Sequence, residues 1–173
     1  PPPPPPPPRV EKQGKTAFAM HIARYNAKQG KKVLFFSLEM SAIALTQRVV
    51  ASEARVPSLH LKTGRLTPAE AQAVGDFLKN PAKPLLFENF LVDDRSFWNR
   101  TTLPATIRLY AQEHKLSLIV LDYLTMFCPL ETREVIESVR LFKGIAKEYN
   151  VPFLCLAQRN RAIKGEEAKP PQA

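Results

Sequence analysis

The sequence predicts an α/β fold, a mainly parallel sheet with helices on both faces, and three observations predict it. Short continuous apolar runs recur along the chain: "KVLFFSL" at 32–38, "PLLFEN" at 84–89, "LSLIVLDYL" at 116–124 and "VPFLCLAQ" at 151–158. Strands buried on both faces have this appearance. Segments with helical spacing separate the runs, as right-handed crossovers between parallel strands require. With 45% hydrophobic residues in 173, one domain with a real core is the expectation.

The elements follow in order. Pro1 to Pro8 lack backbone donors and favour polyproline II, so they form neither a helix nor a central strand. Behind Gly14-Lys15-Thr16, the residues Phe18, Ile22 and Tyr25 recur at helical intervals and predict a helix ending near Gly30, with these three on its apolar stripe. The first strand is 32–38. "SAIALTQRVVASEA" is helical by periodicity, and Thr67-Pro68-Ala69-Glu70 is a capping box that opens a helix to about Leu78. The second strand is expected at 84–89. "LVDDRSFWNRTTLPAT" has no clear period and reads as a loop before a helix at about 105–115. The third strand is 116–124, a long helix covers "ETREVIESVRLFKGIAKEYN", and the fourth strand is 151–158.

The 25 lysines and arginines exceed the 16 acidic residues, a formal charge of +9 that favours a polyanionic partner. The basic residues are scattered rather than gathered in one patch. Cys128 and Cys155 stand beside apolar runs with no metal-ligand spacing, which reads as free buried thiols in a reducing cytoplasm. The longest apolar run is too short to span a bilayer, so no membrane role is expected.

Gly14-Lys15-Thr16 closes a phosphate-binding loop of the form G-x-x-x-x-G-K-[ST], with Arg9 where the opening glycine belongs. The triplet opens a helix, so backbone N–H groups and the helix dipole face an anion. Lys15 can then reach the β- and γ-phosphates of a nucleotide, and the Thr16 hydroxyl can ligate Mg²⁺. Asp122 ends the buried run "LIVLD", where a carboxylate overlooks the ligand crevice of an open α/β sheet and suits a metal. Glu39 and Gln158 end two other strands. Parallel strands share one carboxyl edge, so Lys15, Glu39, Asp122 and Gln158 are expected to converge there and to supply a phosphate cradle, a metal ligand, a base for water and a sensor of the terminal phosphate.

"GKTAFAMHIARYNAKQGKKVLFFSLEMS", "RVVASEARVPSLHLKTGRLT", "LIVLDYLTMF" and "VPFLCLAQRNRA" resemble the ATPase domain of bacterial replicative DNA helicases of the DnaB type, within the RecA-like superfamily. The resemblance implies a RecA-like P-loop domain over 14–165, incomplete at both ends, preceded by a proline-rich or unassigned segment at 1–13 and followed by a tail at 166–173. It implies ATP and Mg²⁺ as cofactors. By position, it implies Gly14, Lys15 and Thr16 at the phosphates, Arg48 at the nucleotide base, Thr16 and Asp122 at the metal, Glu39 as catalytic base and Gln158 as γ-phosphate sensor. It further implies an ATP-driven helicase moving along single-stranded DNA as a homo-hexamer in the cytoplasm, with a primase or helicase loader among its partners. The chain departs from the family at Arg9-Val10-Glu11-Lys12-Gln13, where Glu11 adds negative charge beside the phosphates. That departure supports a second expectation, a RecA-like assembly module of a replication complex with weak or no ATPase.

Overall fold

The computed structural model describes residues 14–80, 83–122 and 132–157. The order of elements is α1 (Lys15–Lys28), β1 (Lys32–Ser37), α2 (Ala42–Glu53), α3 (Ser58–Thr63), α4 (Pro68–Lys79), α5 (Lys83–Asn89), β2 (Phe90–Asp93), α6 (Thr102–Glu113), β3 (Leu116–Asp122), α7 (Thr132–Glu148) and β4 (Phe153–Cys155). The four strands form one parallel sheet in the order β2-β1-β3-β4. The chain winds from β1 to one side and then returns past it to β3. The carboxyl ends of β1 and β3 therefore flank a switch point, where open α/β sheets bind ligands.

Strand β1 is buried on both faces, and its alternate side chains feed two separate cores. Val33 and Phe35 pack with Ala19, Met20, Ala23 and Ala27 of α1, Leu45 and Val49 of α2 and Leu86 of α5. Leu34 and Phe36 point the other way, into Leu103 and Ile107 of α6 and Phe142 and Ile145 of α7. Each fully buried side chain of this kind contributes about 1.5–3 kcal/mol relative to exposure. The expected sheet with helices on both faces is what forms.

Two local expectations fail. Residues 84–89 lie in helix α5, and the second strand is Phe90–Asp93, taken from the segment expected to be loop. The segment from Leu85 to Val92 is two apolar triplets, Leu85-Leu86-Phe87 and Phe90-Leu91-Val92, on either side of Glu88 and Asn89, and runs that short carry no period to separate helix from strand. Its second half pairs with β1, Val33 opposite Phe90 and Phe36 opposite Asp93, while its first half turns Leu86 under α1. The stripe on α1 is also different. Phe18 is 61% exposed and Tyr25 62%, whereas Ala19, Ala23 and Ala27 are fully buried and Ile22 is partly so. Alanines let the helix lie close against the sheet, which bulky side chains at those positions would prevent.

The capping box is present as expected: the Thr67 hydroxyl accepts from the Glu70 N–H, and the Glu70 carboxylate accepts from the Thr67 N–H at 2.8 Å. That same carboxylate receives His60 Nδ1 at 2.9 Å, tying α4 to α3. Among the described residues no helix is long and apolar enough to cross a membrane.

Candidate nucleotide site

The site starts at Gly14, whose φ of 66° is left-handed, a conformation that any side chain would strain. From it α1 departs directly, with the Gly14 carbonyl accepting the Phe18 N–H at 2.9 Å. The first turn of α1 carries no acidic residue of its own, so its free N–H groups and positive dipole end are left to the crevice.

Lys15 and Thr16 are the first two residues of that helix. The Lys15 ammonium donates to the carbonyl oxygen of Ala157, just beyond β4, at 2.9 Å. The Thr16 side chain and that of Asp122, the last residue of β3, border the same crevice. Asp122 is 2% exposed, and burial raises its carboxyl above the ordinary carboxylate range. The nearby Thr16 hydroxyl opposes that rise, the negative charge of Glu39 adds to it, and the positive charges of Arg48 and Lys15 oppose it. Two hard oxygens, a hydroxyl and a carboxylate, thus stand together at the helix N-terminus. Among the described residues no cluster of three or more histidines, cysteines or acidic side chains could form a complete metal cage. A divalent cation fitting this pair is one that takes its remaining oxygens from phosphate and water, as Mg²⁺ does.

Glu39 lies in the turn between β1 and α2, exposed, at the same edge of the sheet. The turn is held by the Leu38 N–H donating to the Asp122 carbonyl at 2.8 Å and by the Ser37 hydroxyl donating to the Met40 carbonyl at 2.6 Å. Arg48 projects from α2 on the same helical face as Ser41 and Ala44. Gly14, Lys15, Thr16, Glu39, Ser41, Arg48 and Asp122 line one crevice of about 460 Å³. A neighbouring cavity of about 440 Å³, bordered by Met20, His21 and Arg24, shares Ala17 and Arg48 with it. The two together form a trough along α1 with Arg48 between them, of a size usual for small-molecule sites.

The structure therefore brings together Gly14, Lys15, Thr16, Arg48, Glu39 and Asp122. Gln158 lies outside the described residues, as do Cys128, Arg159, Arg161 and Lys164. Cys155 is a free thiol, half-buried, and burial pushes its pKa up to about 11. Lys62 of α3, not expected from the sequence, also borders the crevice. The only signal for it was a basic residue just ahead of Gly64, which ends α3 at a φ of 69°.

Comparisons with known proteins show what the chain is similar to. The model of the DnaB-like helicase C terminal domain matches residues 10–173. The chain is similar to the replicative DNA helicase DnaB of Pasteurella multocida, 36% identical over 167 residues, covering 91% of this chain and 35% of that protein. It is also similar to that of Geobacillus stearothermophilus, 35% identical over 169 residues, covering 91% and 36%. The chain thus spans about a third of the length of these relatives. Among solved structures it is similar to a DnaB-like replicative helicase described with its interactions with primase, with a TM-score of 0.74 at 19% identity over 94% of this chain and 40% of that one. A second, described as an ATPase domain, gives a TM-score of 0.71 at 20% identity over 93% and 58%. At such identities these likenesses show the fold alone.

Proposed function

The chain belongs to the DnaB-like helicase C-terminal domain family, and from that premise we propose that its crevice binds and hydrolyses Mg-ATP to drive translocation on single-stranded DNA and unwinding of duplex. The observation that carries this is the convergence of Lys15, Thr16, Glu39 and Asp122 on one crevice at the N-terminus of α1. A phosphate cradle, a cation ligand pair and an unburdened carboxylate on one crevice are what phosphoryl transfer to water requires.

In the proposed reaction the N–H groups of the first turn of α1 and the Lys15 ammonium hold the β- and γ-phosphates. Lys15 exchanges the Ala157 carbonyl for phosphate oxygen as it does so. Thr16 and Asp122 would hold Mg²⁺, which when bound would supply positive charge to offset that of the phosphate oxygens. Glu39 orients a water molecule and takes its proton as the water oxygen bonds to the γ-phosphorus. The bond from that phosphorus to the bridging oxygen breaks, leaving ADP and inorganic phosphate. Arg48 contacts the nucleotide base, and Gln158 senses the γ-phosphate and couples it to DNA.

We extend the proposal to a homo-hexamer working in the cytoplasm, with a primase or helicase loader as partner; a similar solved structure is described with its interactions with primase. A net charge of +9 suits the polyanionic track. The test is ATP hydrolysis by the assembled protein with and without single-stranded DNA, alongside strand separation of a forked duplex. DNA-stimulated hydrolysis that Lys15→Ala abolishes is expected. Hydrolysis indifferent to both DNA and that substitution would contradict the proposal.

A further inference from the structure

Glu39 makes no side-chain hydrogen bond or ion pair among the described residues, so the direction of its carboxylate depends on the backbone turn that carries it. Two of the bonds holding that turn come from within the site, Leu38 to the Asp122 carbonyl and Ser37 to the Met40 carbonyl. A third comes from outside. The Asp94 carboxylate, one residue past β2 and 52 residues along the chain from its partner, accepts the N–H of Ala42, the first residue of α2, at 2.6 Å. The Ser41 hydroxyl, at the N-cap of α2, already accepts the Ala44 N–H at 3.2 Å. Helix α2 is thus capped by its own serine and, in addition, by a carboxylate from a different strand.

We propose that Asp94 is a positioning residue for Glu39: by holding the first turn of α2 from the β2 side, it fixes the turn 38–41 between two strands. The Asp122 carbonyl anchors the amino end of the turn from β3, and Asp94 anchors its carboxyl end. Glu39 lies between the two anchors. Asp94 in turn is held in place because its neighbour Asp93 is buried and gripped by Arg95, whose Nε donates to it at 2.9 Å while its guanidinium lies 4.6 Å over the Trp98 ring. The support for Glu39 therefore extends through Asp94 to a rigid aromatic corner of the second core.

A purely structural role is disfavoured by exposure. Asp94 and the bond it makes are solvent-exposed, so water can replace the carboxylate on the Ala42 N–H. Folding then loses little, whereas a base displaced by a fraction of an ångström loses much of its rate.

The inference rests on the proposed hydrolysis at this site, and the test separates the two. Asp94→Ala and Asp94→Asn variants of the full protein are compared with the parent for ATP dissociation constant, kcat, KM and melting temperature. For Asp94→Ala, kcat is expected to fall about 10- to 100-fold, while nucleotide affinity stays within about twofold and the melting temperature within about 4 °C. Asp94→Asn keeps an acceptor oxygen for the Ala42 N–H, so its kcat is expected to recover to within about threefold of the parent. An unchanged kcat in Asp94→Ala overturns the assignment, as does a loss of affinity equal to the loss of rate, or an Asn variant as slow as the Ala variant. A parent that binds ATP without hydrolysing it also overturns it. A parent that does not bind ATP overturns the proposed function and this inference with it.

Discussion

The Lys15 ammonium rests 2.9 Å from the carbonyl oxygen of Ala157, a residue 142 positions further along the chain. The contact joins the two ends of the described fold at the mouth of the crevice. It is exposed, and an exposed bond from lysine to a carbonyl stabilises a fold by about 1 kcal/mol at most. Lys15→Ala is therefore expected to leave the melting temperature within about 4 °C of the parent's, as read by calorimetry. A larger loss would mean that Lys15 serves the fold rather than a ligand.

Asp122 sets the opposite expectation, stability given up for a site. Burial raises its carboxyl pKa in the folded chain above the value of 3.8 it has when unfolded. Between those two values the folded state holds more protons than the unfolded state. Stability therefore falls as pH rises through that window, and the loss persists at neutral pH. Asp122→Asn, which removes the buried charge and keeps the shape, is expected to melt higher than the parent at pH 7, with the difference shrinking as pH falls toward 3.8. The same variant is expected to bind Mg²⁺ at least about tenfold more weakly in the presence of nucleotide. Thermal melts across pH and a Mg²⁺ titration check both halves.

Thr67 is the local control. Its hydroxyl caps α4 by accepting the Glu70 N–H, and α4 takes no part in the crevice. Thr67→Ala is expected to cost about 1 kcal/mol of folding stability, measured by denaturant unfolding, with nucleotide affinity unchanged.

What could be read from the sequence divides along physical lines. The capping box at Thr67 and the helix start at Gly14 are governed by neighbours in sequence, and both formed as expected. Asp122 was legible because a strand of seven residues ends on it. The α1 stripe was misread at Phe18 and Tyr25 because apolar spacing does not reveal that close packing on the sheet selects Ala19, Ala23 and Ala27. The second strand was misplaced because the apolar triplets Leu85-Leu86-Phe87 and Phe90-Leu91-Val92 each fit either structure, and only pairing with Val33 to Phe36 decides which of them extends. The bonds from Asp94 to Ala42 and from Lys15 to Ala157 span too much chain for any local pattern to announce.

The central claim is that the crevice at the N-terminus of α1 is a site for Mg-ATP with Glu39 as its base. The most direct measurement is a calorimetric Mg-ATP titration, with hydrolysis followed in parallel, of the parent, Lys15→Ala and Glu39→Gln. Lys15→Ala is expected to weaken binding by about tenfold or more, through loss of a charge-assisted bond to phosphate. Glu39→Gln is expected to bind as the parent does and to hydrolyse about 10²- to 10⁴-fold more slowly. Equal binding by the parent and Lys15→Ala, or undiminished hydrolysis by Glu39→Gln, would contradict the account.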